Sequence, residues 1–300
     1  MSQEQQVTYE VIEERIARIT LNRPEKRNAQ GIDMTYQIDA AIRRACLDDA
    51  IHVMILGANG DMFSAGHDLS PNGRRPREDE VVGLWGAFNG PGWEGKYSYE
   101  KEVFLEMLER WRNAPKPMIA EVHGNVIAAA NMLVWVCDII ICSDDARFRD
   151  NTLVDMAMPG VEMLAHPFEF GVRKAKEWMF TGSWISAHEA EKCGMVNHVV
   201  PRDALRDKVM TIARSVAEND RFALKLMKES INHAEDSMGR REAVSFAFAN
   251  HQLGHTQNML RYGYPVSITK LPDTVRKHLE TSIAKQKAES TTEAKSQGKS

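Results

Sequence analysis

The sequence has little with which to cross-link itself or hold a metal. Its four cysteines, Cys46, Cys137, Cys142 and Cys193, form no Cys-x-x-Cys pair. Their spacing therefore suggests neither a disulfide framework nor a zinc site, and no metal is expected. They read as reduced thiols of an intracellular, cytoplasmic protein. Long apolar runs are also lacking. The longest, 126-VIAAANMLVWV-136, is interrupted by Asn131 and is too short to span a bilayer, so no membrane partner is expected. The start, MSQEQQVTYE, lacks the basic-then-apolar pattern of a signal peptide. Charge of one sign is not in excess. A formal net charge of -4 gives no general reason to bind nucleic acid. The one dense basic run, 74-RRPR-77, is followed by acids at 78–80, so any anionic ligand has to be held by local basic groups.

What is present reads as an α/β chain followed by helices. The segment 7–24 is rich in β-branched residues and ends at Pro24, which predicts a hairpin or two short strands. Residues 32–47 carry a helical pattern, and 51–57 an apolar strand. Residues 83–93 hold two tryptophans, Trp85 and Trp93, and four glycines, as expected of an irregular aromatic lid. Over 98–112, Tyr99, Val103, Phe104, Met107, Leu108 and Trp111 recur at spacings of three and four, the mark of an amphipathic helix. Strands are expected at 118–124, 137–143 and 195–200. Helices are expected at 128–136, 171–181, 186–193, 202–218, 220–234 and 240–255. Strands alternate with helices in the first two thirds and helices fill the last, which favours an α/β core with a helical extension. From residue 284 the sequence has almost no apolar side chains and reads as a disordered tail.

Two stretches suggest chemistry. In 63-FSAGHDL-69, a glycine in a strand-to-helix turn lets the following N–H point into a cleft, where it can hydrogen-bond a developing oxyanion. In 122-VHGNVIAAANML-133, a glycine turn and three alanines leave outward amides near Ala128–Ala130. Each pattern alone is also that of an ordinary packed loop, but together they would supply two converging donors.

With 18-RITLNRPEKRNAQ-30, 116-KPMIAEVHGN-125, 137-CDIIICSDDARF-148 and 181-TGSWISAHEAEKCGMVNHVVP-201, these stretches resemble, in their order, the crotonase (enoyl-CoA hydratase/isomerase) superfamily over about residues 8–255. The resemblance implies a spiral of ββα units with a CoA-binding cleft over residues 1–200. It implies a helical trimerisation region over 201–283, leaving 284–300 as the tail. It implies an acyl-CoA-processing enzyme, a lyase or isomerase of fatty acid metabolism, working as a homotrimer or hexamer with no cofactor beyond the CoA moiety of its substrate. Decarboxylase or hydrolase chemistry, or acyl-CoA binding without catalysis, are the alternatives.

The resemblance also assigns residues. The backbone N–H groups of His67 and Ala129 fall on the oxyanion-hole positions, so His67 is expected to act through its main chain. Lys26, Arg27, Ala29, Ala65, Asp68 and Leu69 fall along the CoA cleft, and Arg74, Arg75 and Arg77 are candidate phosphate contacts. The two glutamates that serve hydration in the family fall on Met132 and Thr152, neither of which exchanges a proton near neutrality. Glu162 is the leading replacement acid or base, because some isomerases of the superfamily carry a single acid in that loop. Asp150 is a second candidate, with Asp155 and His166 nearby. The tyrosine expected of decarboxylases after Pro159 is replaced by Gly160.

Overall fold

The computed structural model describes residues 5–70, 85–271, 273, 276, 277 and 279–281. The arginines at 74–77 and the tail from 284 lie outside these residues. The hairpin appears as β1 (Val7–Glu13) and β2 (Ile16–Leu21), joined at Arg15 in a left-handed conformation. In chain order there follow α1 (Ile32–Leu47), β3 (Val53–Ala58) and α2 (Glu94–Glu100), which runs through a π-helical stretch at Lys101–Glu106 into α3 (Met107–Arg112). Next come β4 (Met118–Val122), β5 (Asn125–Ile127), α4 (Ala130–Trp135), β6 (Ile139–Ser143), β7 (Arg147–Arg149), α5 (Thr152–Met156), α6 (His166–Phe170) and α7 (Val172–Thr181). The chain continues through β8 (Ile185–Ser186), α8 (Ala187–Lys192) and β9 (His198–Val200) to three long helices, α9 (Leu205–Ala217), α10 (Arg221–Ser237) and α11 (Arg240–Tyr262).

The strands build two layers. One sheet has the order β1-β2-β3-β4-β6-β9, parallel throughout except for the β1–β2 hairpin. The second has the order β5-β7-β8. After β4 the chain crosses to β5 and enters α4, and after β6 it crosses to β7 and enters α5. The same excursion after β2 and β3 leaves only single bridges, Gln30 with His67 and Ser64 with Val126. The result is a crotonase-like ββα spiral in which each turn presents a short extended segment to the one before. The turns that carry residues 63–68 and 125–129 are therefore neighbours.

Burial explains the strand pattern. Along β3, Met54 and Leu56 join the main core, while Val53 and Ile55 meet Leu205, Val209, Met210 and Ala213 of α9. A strand covered on both faces is apolar throughout, as expected of parallel sheets. Helix α9 thus covers one face of the sheet. The expected helix at 98–112 starts earlier, at Glu94, and that at 240–255 runs on to Tyr262. The short β5, β7, α5 and α6 are absent from the sequence reading, because three to five residues carry no measurable period.

Ile55 is fully buried between β3 and α9. Replacing it by alanine is expected to cost about 2–5 kcal/mol, read from denaturant unfolding.

Candidate active site

The loop after β3 is fixed from below. Asn28 is completely buried, and its amide nitrogen lies 2.8 Å, 3.2 Å and 3.1 Å from the carbonyls of Asn59, Met62 and Phe63. Ser64 donates to the Asn28 carbonyl and accepts from the Gly66 N–H. Gln30 N–H donates to Gly66 O and Asp68 N–H to Gln30 O, both at 2.8 Å. In a parallel bridge of this kind the flanking residues make the bonds, so the N–H of His67 itself faces away from Gln30.

The opposing turn lies close by. Gly66 has φ +85°, and a Cβ on it would stand 2.6 Å from the Ile127 carbonyl oxygen and 3.3 Å from the Ala129 nitrogen. Ala128 is held at φ 49°, a conformation that costs an alanine roughly 1–2 kcal/mol. It is secured by its own N–H bond to Arg149 O and by Asn131, whose amide donates to both Ala128 O and Arg149 O. The polar break in the apolar run thus has a structural purpose. Among the described residues, neither the His67 nor the Ala129 N–H is engaged by a backbone or side-chain acceptor.

Between these turns and α11 lies a cavity of about 100 Å³. Ala65, Leu69, Ile127, Met156, Met158, Val161 and Val266 make most of its wall apolar, and Glu162, His67, His251 and His255 supply its ionisable groups. Glu162 is only 3% exposed. It accepts from His67 Nε2 at 3.1 Å, and His251 Nε2 lies 3.6 Å from its other oxygen. Burial works against its charge, yet the His67 and His251 imidazoles outweigh it and hold the carboxyl down at about 2. The His67 ring rests on Phe104 with centroids 3.8 Å apart, and Phe104 is carried by the π-helical stretch. Larger depressions of about 650 Å³ and 500 Å³ lie elsewhere and contain neither residue 67 nor residue 129.

Of the residues singled out in the sequence, His67, Ala129, Ala65, Leu69, Thr152 and Glu162 meet at this cavity. Asp150 does not line it. Its carboxylate is fully buried, accepts from Thr152 N–H and Oγ, and pairs with His166 Nε2 at 3.0 Å. Burial again opposes the charge, and the His166 partner prevails, so the Asp150 carboxyl lies below its usual range. This pair anchors α5 rather than reaching the cavity. Met132 is buried, with its sulfur accepting the Met163 N–H. Asp68 is ion-paired with Arg23 at 2.7 Å, while Lys26 and Arg27 are exposed and Ala29 is half-buried. Trp85 and Trp93 line no part of the cavity. Trp93 instead donates to Gln252.

The sequence reading missed His251, His255 and Glu100. The signal was 251-HQLGH-255, two histidines one helical turn apart on one face of α11. Gly254 between them lets α11 approach the loop before Glu162, since a Cβ there would stand 2.6 Å from Pro159 Cδ.

Fold and cavity define a class: an α/β spiral whose adjacent turns bring residues 67 and 129 to a small cavity lined, among the described residues, by one carboxylate. The enoyl-CoA hydratase/isomerase family model matches residues 11–263, and the chain belongs to that family. EchA13 of Mycobacterium tuberculosis, named as a candidate enoyl-CoA hydratase, is 42% identical over 270 residues, covering 86% of this chain and 85% of its own. The crystal structure of a probable enoyl-CoA hydratase from Mycobacterium thermoresistibile superposes with a TM-score of 0.79 at 42% identity, over 88% of this chain and 100% of that one. A monofunctional enoyl-CoA isomerase from M. smegmatis superposes at 0.62 with 25% identity, over 77% and 94% of the two chains. Both names occur among the relatives, so membership alone does not select a reaction.

Two outcomes follow from this geometry. Gly66→Ala places a methyl against Ile127 O and is expected to abolish binding of CoA esters while the protein stays folded, measured by calorimetry and circular dichroism. The second concerns pH. Glu162 has a folded value depressed from 4.5 to about 2, so its stabilising contribution is whole above the unfolded value and is lost as pH falls through the folded one. Denaturation midpoints of wild type and Glu162→Gln, compared from about pH 6 downward, are expected to converge toward pH 2.

Proposed function

We propose that the protein is an enzyme that forms an enolate from an acyl-CoA thioester, and that shifting the double bond of an enoyl-CoA is the reaction its cavity supports best. The observation that carries this reading is that Glu162 is the one carboxylate lining the cavity among the described residues. In the proposed reaction the thioester carbonyl accepts from the N–H groups of His67 and Ala129. Glu162 takes a proton from the α-carbon, negative charge passes to the carbonyl oxygen, and the same carboxyl returns the proton to the γ-carbon as the double bond moves. No water is consumed. One oxyanion donor is worth about 2.7–4 kcal/mol of barrier. The His67 ring then has a second duty, keeping Glu162 ionised and oriented toward the substrate.

Hydration is the second reading, favoured by the names of the relatives at about 40% identity. It needs a group that orients water in addition to one that delivers a proton. Thr152 and Met132, at the positions where the family resemblance puts that pair, supply neither function by titration.

We assign the CoA moiety to the cleft edge formed by Lys26, Arg27, Ala29, Ala65 and Leu69. The exposure of both cations and the position of Ala65 and Leu69 on the cavity wall support this. Asp68 serves this edge indirectly, by tying its loop to Arg23. Residues 1–200 then form the catalytic core and 201–283 an assembly region. Exposed apolar side chains on α10 (Phe222, Leu226, Ile231) and on α11 (Phe246, Leu253, Leu260, seven residues apart) support a homotrimer or a dimer of trimers. The four free thiols support a reducing, cytoplasmic setting. Among the described residues no helix is long and apolar enough to cross a membrane.

The test is incubation with 3-enoyl-, 2-enoyl-, malonyl- and saturated acyl-CoA esters in D₂O. Isomerisation of the 3-enoyl ester with deuterium entering at carbon is expected, and Glu162→Gln is expected to lower it at least about 100-fold. Net addition of water would establish hydration instead. Tight binding without any exchange would remove the enzymatic reading. Light scattering is expected to give three or six chains per particle, with Leu253→Glu and Leu260→Glu shifting it toward monomer.

A further inference from the structure

At the cavity wall, α11 and α2 bring together three side chains to which the reaction above assigns no step. His251 and His255 project from successive turns of α11 toward Glu100 at the end of α2. All three are at least 95% buried. Their ligating atoms all lie within 4.8 Å of one another.

The hydrogen bonds around them fix which nitrogen carries the proton. His251 Nδ1 lies 2.9 Å from Gly160 O and His255 Nδ1 lies 2.7 Å from Pro265 O. A carbonyl only accepts, so both Nδ1 atoms are donors. Each Nε2 is buried with no hydrogen-bond partner. His255 Nε2 stands 3.3 Å from Glu100 Oε1, and His251 Nε2 stands 3.8 Å from Glu100 Oε2 and 3.6 Å from Glu162 Oε1. In neutral imidazoles these would be two lone pairs aimed at anionic oxygens, which repel. A cation resolves the conflict, either a proton on each ring or one metal ion between them.

We propose that Glu100, His251 and His255 form a binding site for one divalent transition-metal ion of the zinc class. Two imidazoles and one carboxylate are a recurrent zinc donor set. Bonds of about 2.0–2.2 Å put tetrahedral ligand atoms roughly 3.3–3.5 Å apart; the His255–Glu100 pair at 3.3 Å already has that spacing, and the other pairs, within 4.8 Å, draw in on binding. The Nδ1–H bonds to Gly160 and Pro265 are the outer contacts that orient metal-bound histidines. Glu100 keeps outer partners of its own, Gln252 at 2.7 Å and Lys96 at 2.6 Å. The Lys96 ammonium competes with the ion for that carboxylate, so the site is weaker than the same donors without it. Three protein donors leave a fourth position open. The proposal stands independently of the reaction assigned to the cavity.

The test is titration of the purified full-length wild type, stripped with chelator, with Zn²⁺ and with Co²⁺. One ion per chain is expected, with a tetrahedral visible spectrum for Co²⁺ and X-ray absorption reporting two imidazole nitrogens and one carboxylate. His251→Gln and His255→Gln are each expected to weaken binding at least about 100-fold, in line with loss of a ligand, and Lys96→Met to tighten it. Exposed His188→Gln is the control and is expected to change nothing. No saturable binding, a shell without two imidazoles, or binding indifferent to residues 251 and 255 overturns the proposal. If a glutamine variant fails to fold, the wild-type stoichiometry and absorption shell still decide it.

Discussion

The contact between Gly66 and the end of β5 is the constraint on which the site depends. Only a residue without a side chain lets the loop after β3 come against Ile127 O and the Ala129 nitrogen. The same loop is pinned on its other side to Gln30 and Asn28. Held between those bonds, the main chain at His67 keeps its N–H turned away from Gln30. Ala128 pays the conformational cost on the opposite side. Strain of this kind persists where surrounding bonds over-determine the backbone, and Asn131 with Arg149 O supplies those bonds.

A second constraint is electrostatic. Glu162 is a buried carboxylate in an apolar cavity, and burial alone would drive it to its neutral acid. Instead His67 donates to one oxygen and His251 approaches the other. His251 is itself pushed below the usual histidine range, chiefly by burial, with the neighbouring His255 adding to the effect. Glu100 is held well below the ordinary carboxylate range against its own burial, through Lys96 and His255. The two carboxylates and three imidazoles therefore form one connected array.

Much of the fold was legible because its signals are local or ordered along the chain. The α1 boundaries follow from the helical period, the β1–β2 hairpin from its β-branched residues, and the family from the order of several motifs. The convergence of residues 67 and 129 followed from resemblance and not from the pattern around either one. What escaped reading depends on contacts distant in sequence. Glu162 meets His67 across 95 positions, and Glu100 meets Gln252 across 152. Asp150 stood as a second candidate behind Glu162, because nothing local reveals that Thr152 and His166 consume its carboxylate. The tryptophans at 85 and 93 suggested an aromatic lid by composition, yet Trp85 lies against Lys101 and Trp93 donates to Gln252.

The central claim is that two main-chain N–H groups meet at one thioester carbonyl. Isotope-edited infrared spectroscopy of a non-reactive CoA thioester, labelled at its carbonyl carbon and bound to the protein, tests it most directly. Two converging donors lengthen the C=O bond, so the account predicts a carbonyl band at clearly lower frequency than that of the same ester free in water. A bound ester whose band is unshifted, or moved to higher frequency as in an apolar pocket, would contradict it.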